Sequence, residues 1–292
     1  MDTVFYWKWL FMFTKRILLE NDNVIKIKIK NITWEELFND KTILYKALCD
    51  ILLNEENLLY YATQKDSSKT LFDTREYIKN LIANGSLVYL IDDIFNALGW
   101  NRNINIKNTI FQGDIAEYLM SILLDKITNV ETLISKISYK TSPSMPIYGN
   151  DNVYYDYEND ILYFGESKFY KNVEDGLKAA MDSIKKHSNV EEISFVRNHT
   201  TSFIAENGEK RFKVIEKFET TYTEDISIKS IIFIINEDIY NKTDYEEMII
   251  KYFGNIEMLE SQTAEIILVF LPILSKEEFL EYFVRSVSDD KQ

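Results

Sequence analysis

Hydrophobic and polar residues follow two different periods in the N-terminal part of the chain. At residues 24–30, apolar residues alternate with lysines, and this period of two predicts an edge or half-exposed strand. Thr33-Trp34-Glu35-Glu36 is a capping box, and a periodic apolar pattern follows it to about Leu53, which predicts a helix. Two more helical patterns cover about 74–83 and 87–98, and each is followed by a glycine, Gly85 or Gly99, of the kind that ends helices. This part of the chain is therefore predicted to be rich in helices.

The pattern changes after an asparagine-rich stretch at 101–108. A helix is expected first, then a strand, a β-hairpin and a strongly amphipathic helix. Two continuous apolar runs typical of buried strands follow, with a helix between them and another after them. Residues 189–223 give no assignment. The expected elements are the helix 112–126, the strand 133–140, the hairpin strands 153–157 and 161–169, the helix beginning at Val173, the strands 228–235 and 266–271, and the helices 245–259 and 276–287.

Together these patterns predict an α/β protein with a mixed central sheet flanked by helices, divided into two parts. Residues 1–108 would form a helix-rich N-terminal region, and residues 109–292 would form a second domain built on the sheet. The aromatic stretch at 5–11 fits either a buried strand or a partner-binding surface.

Charge and composition exclude several classes of protein. The chain has 33 Lys and Arg against 47 Asp and Glu, a formal charge of −14, so any nucleic-acid contact needs a local basic patch rather than bulk charge. One cysteine and two histidines are too few for a cysteine cluster or a histidine-based zinc site. Because no internal disulfide can form and no apolar run is long enough to span a membrane, the chain is expected in the cytoplasm, without membrane contact. Neither a P-loop nor a Rossmann glycine motif is present in the sequence.

One motif could carry chemistry. Outside the C-terminal tail, a single acidic residue is followed two positions later by lysine, in Glu166-Ser167-Lys168. Because a strand alternates its faces, Glu166 and Lys168 should project from the same side, and the hairpin can fold Asp151 back towards them. Gly165 has no side chain and would allow a ligand or another backbone to approach closely. Two carboxylates and a lysine are thus expected at one place.

This combination suits the metal-assisted hydrolysis of a phosphodiester. Asp151 and Glu166 would hold Mg²⁺, with Mn²⁺ as a substitute, so that the metal polarises the phosphoryl group and activates water. Lys168 would position that water or offset the developing negative charge. A less specific interpretation is also open: Glu166 and Lys168 could form an exposed ion pair of little energetic value, and Asp151 could serve as a turn residue. The protein would then be a non-catalytic adaptor.

Glu117 is the candidate fourth member of this group and a third metal ligand. On the helix 112–126 it lies outside the face predicted to meet solvent, so its carboxylate would be directed away from bulk water. Alternatively, this carboxylate could stabilise its own helix by interacting with the positive end of the helix dipole. The predicted solvent face consists of Asp114, Tyr118, Ser121 and Asp125.

Local basicity follows the motif. Lys171, Lys178 and Lys185 recur every seven residues at the border of the apolar face of the helix that begins at Val173. These lysines would either contact phosphates near the metal site or form a solvated helix flank.

Three strings around these residues carry a family resemblance: Gln112-Gly113-Asp114-Ile115-Ala116-Glu117, Gly149-Asn150-Asp151, and the segment Leu-Tyr-Phe-Gly-Glu-Ser-Lys-Phe-Tyr at 162–170. They resemble the HamA family of Hachiman anti-phage defence systems. The resemblance implies a PD-(D/E)xK-type, restriction-endonuclease-like core in residues 109–292, with Asp151, Glu166 and Lys168 as its triad and Glu117 as a helical carboxylate.

The resemblance also implies DNA as the substrate and a HamB-like helicase as a partner. The helicase would hold the nuclease and release it when damaged or invading DNA is sensed. The residues themselves leave open a nuclease of the same fold that acts on RNA.

Overall fold

The computed structural model describes the strands and helices of one α/β protein and the residues beside them. The described residues are 10–18, 24–32, 41–54, 57, 105–127, 130–135, 151–156, 161–187, 228–238, 247 and 265–289. Several predictions fall outside these ranges: the capping box at 33–36, the helical patterns 74–83 and 87–98, and nearly all of the helix 245–259.

The described elements follow the predicted order from residue 109 onwards, although the strand predicted at 133–140 begins earlier, at Val130. In none of the described helices is an apolar stretch long enough to cross a membrane. In chain order the elements are β1 (Leu10–Leu18), β2 (Val24–Ile32), α1 (Lys41–Leu52), α2 (Thr109–Ile127), β3 (Val130–Ser135), β4 (Asn152–Asp156), β5 (Ile161–Phe169), α3 (Val173–His187), β6 (Ile228–Asn236), β7 (Glu265–Pro272) and α4 (Lys276–Asp289).

All seven described strands form a single mixed sheet in the order β1-β2-β7-β6-β5-β4-β3. Strands β2, β7, β6 and β5 run parallel, whereas β1 at one end and β4 and β3 at the other are antiparallel to their neighbours. Strand β2 was predicted at the correct place in the sequence. Of the two alternatives for it, the edge strand is wrong, because β2 lies between β1 and β7, and the half-exposed strand stays a prediction.

Helices cover both faces of the sheet. Helix α3 buries its predicted apolar stripe from Val173 to Ile184, and the missing side chain of Gly176 leaves room for Ile234 of β6, whose Cγ2 lies 2.9 Å from where a Cβ would be. The alternate residues of the same strand, Phe233 and Ile235, join the core cluster that α1, α2 and α4 form on the opposite face. The predicted α/β class, with a mixed sheet flanked by helices, is therefore confirmed.

Helix α2 differs from its prediction in two respects. It begins at Thr109 rather than at Gln112, because the side chain of Asn108 accepts a hydrogen bond of 3.0 Å from the amide of Ile110 and caps the helix earlier. Its predicted solvent face is also wrong: Asp114, Tyr118 and Ser121 are buried. Packing by β5 on one side and by α1 on another leaves this helix little exposed surface.

The division into two parts near residue 108 stays a prediction, but the pairing of strands in the sheet is relevant to it. Strand β2 pairs with β7, so strands from both sides of residue 108 share one sheet. Helix α1 packs against α4 and α2. The described N-terminal elements are therefore built onto the same sheet as the rest of the chain.

Gly165 is closely surrounded by protein atoms. A Cβ at this position would lie 2.6 Å from Met120 Cε, 2.6 Å from Tyr154 Cε2 and 3.3 Å from the backbone oxygen of Asn152. The sequence predicted that either a ligand or another backbone approaches Gly165 closely. The backbone of Asn152 does so, and the other close atoms belong to side chains rather than to a ligand.

Gly165→Ala is expected to lower the free energy of unfolding by about 1–3 kcal/mol, because the ring of Tyr154 is buried and cannot move away without repacking. Gly113→Ala is the matched control, since nothing lies within 4 Å of its Cβ position. That change should instead stabilise α2 by up to about 1 kcal/mol, the difference between alanine and glycine in a helix. Chemical denaturation of both variants measures the two effects, and equal values for them would contradict this account.

Candidate functional site

The antiparallel register of the hairpin brings Asp151 to the motif. Asn152 pairs with Gly165, so the position before it, Asp151, lies opposite Glu166. The amide of Asp151 donates a 3.0 Å hydrogen bond to the carbonyl of Gly165. Its Oδ2 accepts two more, from the amide of Ser167 at 2.7 Å and from the Ser167 hydroxyl at 2.8 Å. Asp151 is therefore fixed against β5 by three hydrogen bonds.

Glu166 and Lys168 project from the same side of β5 and form an ion pair in which Lys168 Nζ donates to Glu166 Oε1. Glu166 is 2% exposed, and the side chain of Lys168 is 22% exposed. Glu166 Oε2 is buried with no close hydrogen-bond partner among the described residues. The alternative of an exposed surface ion pair is therefore wrong, because Glu166 is buried and incompletely satisfied, an arrangement that costs free energy, and Lys168 is half-buried.

Burial and neighbouring charges shift the pKa values of both groups. Burial, and then the nearby carboxylate of Asp151, raise the pKa of Glu166 to about 7 against the opposing effects of Lys168 and, more weakly, the Ser183 hydroxyl. For Lys168, burial would lower the pKa, but the carboxylates of Glu166, Asp151 and Glu117 together outweigh burial and raise it. Lys168 therefore stays charged in a site that contains a carboxyl group poised near neutral pH.

Glu117 joins the site from helix α2. It is half-buried, its charge contributes to the raised pKa of Lys168, and it lines the same cavity as Asp151 and Lys168. Glu166 does not belong to this lining and lies beneath Lys168. The structure thus brings together all four residues that the sequence singled out, three at the cavity wall and one behind it.

The cavity has a volume of about 600 Å³ and lies at the carboxyl end of β5, where the first turns of α2, α3 and α4 meet. Hydrogen bonds join this end of the parallel strands: the amide of Tyr170 donates to the Ile235 carbonyl at 3.0 Å, and that of Ile273 to the Asn236 carbonyl at 2.6 Å. The lining residues are Thr109, Gln112, Gly113, Glu117, Asp151, Ser167, Lys168, Phe169, Tyr170, Lys171, Asn172, Asp175 and Lys276. This is the edge at which open α/β sheets usually bind ligands.

The three lysines predicted to contact nucleic acid have different positions. Lys171 lines the cavity. Lys178 is exposed on α3 and lies outside the cavity lining. Lys185 belongs to the backbone of α3, but its side chain is outside the described part. The structure therefore gives Lys171 alone of the three a place beside the motif residues.

Sequence reasoning missed two residues of the site. Ser167 holds Asp151 through its hydroxyl and amide, and its place inside the motif was the available signal. Lys276 reaches the cavity from the start of α4, far along the chain, where only its position just after a parallel strand could have indicated it. Burial, and more weakly Lys171, lower the pKa of Lys276 to about 8 against the raising effect of Glu237.

The carboxylates of the site suit Mg²⁺ better as a pair than as a larger set. Within the described ranges, no three acidic, histidine or cysteine side chains are grouped closely enough to hold a metal ion by themselves. Mg²⁺, however, commonly binds one or two carboxylates and takes its other ligands from water and substrate phosphates. The buried Oε2 of Glu166 and the Oδ1 of Asp151, whose hydrogen bonds from Ser167 end at Oδ2, are two such oxygens. Asp151 and Glu166 therefore fit a two-carboxylate site, whereas the predicted set of three ligands, which adds Glu117, is not found among the described residues.

Without metal, Glu166 should make the folded state less stable as the pH rises. Its folded pKa of about 7 lies above the ordinary value of 4.5, so its contribution to stability is complete below pH 4.5 and is lost as the pH rises through 7. Between about pH 4.5 and pH 8, the difference in free energy of unfolding should move in favour of Glu166→Gln by on the order of 3 kcal/mol. Denaturation of both proteins with a chelator present measures this difference, and a pH-independent value would argue against the raised pKa.

Fold and site together define a class of protein: a mixed α/β sheet in which two carboxylates and a lysine meet at the end of a β-hairpin, beside a cavity. The model of the HamA family matches residues 12–287. The chain therefore belongs to the HamA family, which makes it a component of a Hachiman anti-phage defence system that acts with the other components of that system. Among curated proteins, no significant match to the chain is found.

Proposed function

We propose that this chain is the nuclease effector of its defence system, a Mg²⁺-dependent deoxyribonuclease with a restriction-endonuclease-like core. The observation that carries the proposal is the ion pair of the buried Glu166 with the half-buried Lys168, which Asp151 faces across the hairpin. A buried carboxylate with an unsatisfied oxygen costs free energy in the apo protein, and holding a cation would offset that cost. Helices on both faces of a sheet that joins an antiparallel hairpin to parallel strands also fit such a core.

Each residue has a role in this mechanism. Asp151 and Glu166 would hold the cation, which supplies polarisation of the phosphoryl group and activation of water when bound. Lys168 uses one ammonium N–H for Glu166 Oε1 and keeps two to orient the attacking water or to balance charge on the phosphoryl oxygens. Glu117 helps to keep Lys168 charged and would add a further carboxylate at the cavity wall. Ser167 keeps Asp151 in place.

A partner explains two features that the nuclease alone does not. At −14, the chain repels DNA except at local basic patches, and it carries no nucleotide-binding motif of its own. We propose that a HamB-like helicase supplies DNA capture and ATP hydrolysis, holds the nuclease inactive, and releases it when damaged or invading DNA is sensed.

The test is cleavage of supercoiled plasmid by the purified chain, with and without its genomic helicase neighbour, with Mg²⁺, with Mn²⁺ or with chelator. Metal-dependent nicking or degradation is expected, with matched RNA left intact. Cleavage of RNA in preference to DNA would identify RNA as the substrate. No cleavage under any condition, with helicase binding intact, would support the non-catalytic adaptor.

A further inference from the structure

Lys276 is a lysine of the cavity wall that the proposed mechanism does not use. It stands at the first position of α4, and its backbone amide donates a 2.6 Å hydrogen bond to Glu237 Oε1. Its Nζ donates to the carbonyl of Phe169 at 2.5 Å and lies 4.5 Å from the centroid of the Phe169 ring. These contacts hold the ammonium group in one position, beside the residue that follows Lys168 in β5.

The ammonium group of Lys276 is near a carboxylate, that of Glu237, which raises its pKa but accepts its hydrogen bond from the backbone amide of Lys276. No ion pair to a carboxylate involves it within the described part of the chain, and one of its three N–H groups is used by Phe169, which leaves two for a ligand. Lys171 lines the same cavity and is close enough to lower the pKa of Lys276. Lys276 is half-buried and Lys171 is exposed, and their like charges repel each other, so an anion bound between them would be stabilised by both.

The surroundings also favour an anion at this wall. Asn172, the residue before α3, and Lys276, the first residue of α4, both line the cavity, so the positive ends of two helix dipoles meet there. Asp175 in the first turn of α3 also lines the cavity and hydrogen-bonds with Asn172. Tyr170 adds a side chain that is 38% exposed between Lys171 and the motif. In the proposed mechanism Lys168 acts at the phosphate that is cleaved, whereas Lys171 and Lys276 are available to a second phosphate of the same strand.

We propose that Lys276, together with Lys171, binds the backbone phosphate next to the one that is cleaved and so positions the DNA strand in the site. The inference rests on the proposed function, because it takes DNA as the substrate. It assigns to Lys276 a substrate-binding role, distinct from that of Lys168. A phosphate contact of this kind is independent of base sequence and contributes a salt-dependent share of the affinity.

The test is binding of a fluorescent DNA oligonucleotide by the full chain, measured by anisotropy with chelator present, so that no cleavage occurs. Lys276→Met keeps the apolar contact with Phe169 but removes the charge, and it should weaken binding about 3- to 10-fold. It should also reduce the slope of log affinity against log salt concentration by about 0.7–0.9, the share of one phosphate contact. Lys276→Arg should retain most of the affinity.

Lys46→Met is the matched control, because Lys46 is an exposed lysine of α1 that pairs with Asp50. It should leave affinity and salt slope unchanged. Thermal unfolding of each variant checks folding, and Lys276→Gln serves as a second neutral variant if methionine prevents folding. In plasmid cleavage with Mg²⁺, loss of Lys276 should raise KM more than it lowers kcat.

The outcomes separate the two proposals. Normal DNA binding by Lys276→Met, with an unchanged salt slope, overturns the role of Lys276 and leaves the nuclease proposal standing. Weakened binding in a chain that never cleaves DNA supports Lys276 and overturns the nuclease. A wild-type chain that binds no DNA by itself and cleaves none with or without its helicase neighbour overturns both.

Discussion

Glu166→Gln is expected to reduce metal-dependent DNA cleavage by about a thousandfold or more. The substitution keeps the size of the side chain and its hydrogen bond with Lys168 but removes the negative charge that would hold the cation. Charge stabilisation by a bound metal contributes several kcal/mol to such a reaction, and each 1.36 kcal/mol corresponds to about a tenfold change in rate. Initial rates of plasmid nicking over a range of Mg²⁺ concentrations measure the effect.

Glu277→Gln is the matched control for this loss of activity. Glu277 is exposed in the first turn of α4, outside the cavity lining, so the same chemical change there should leave the nicking rate within about twofold of wild type. If both glutamine variants cleaved DNA at the same rate, Glu166 would have no part in catalysis, and the adaptor function would become the better proposal.

The second large effect is expected from Asp151→Asn, which should abolish stabilisation of the fold by divalent metal. Wild type at a hundredfold excess of Mn²⁺ or Mg²⁺ over its dissociation constant should gain about 2.7 kcal/mol, seen as a rise in Tm. The variant should show no rise. The amide oxygen of asparagine can still accept the two hydrogen bonds from Ser167, so the metal-free fold should persist.

Asp50→Asn provides the comparison, because Asp50 is an exposed carboxylate of α1 paired with Lys46. Its Tm should rise with metal as that of wild type does. A full metal-induced rise in Asp151→Asn would place the cation elsewhere and remove Asp151 from the proposed ligand set.

The local sequence pattern was sufficient to predict those elements whose geometry depends on their own residues. The hairpin strands were predicted to within a residue, as were β6 and β7, because period-two and continuous apolar patterns directly reflect burial in a sheet. Helix α3 was predicted from its apolar stripe, which faces the sheet as expected. The convergence of Asp151, Glu166 and Lys168 followed from the same local rule, since a hairpin brings its own two strands together.

Features that depend on distant parts of the chain could not be predicted in this way. The polar stripe of α2 was interpreted as a solvent face, but Asp114 and Tyr118 are buried by elements that the pattern of the helix does not reveal. The position of β2 inside the sheet depends on β7, and the arrival of Lys276 at the cavity depends on the parallel order of β5, β6 and β7. None of these long-range contacts can be predicted from the residues of a single element.

The pairing of β2 with β7 also has a consequence for synthesis on the ribosome. The register joins Lys26 to Glu265, so an early strand acquires this neighbour only when a late segment has been translated. Non-local pairing of this kind is slow to form and leaves strand edges exposed in the meantime. The hairpin, α2 and α3 can associate earlier, because they lie close together in the chain. Truncation before β7 should therefore yield a nascent protein with β2 unpaired on that side and prone to aggregation, even though every residue of the Asp151–Glu166–Lys168 cluster is already present.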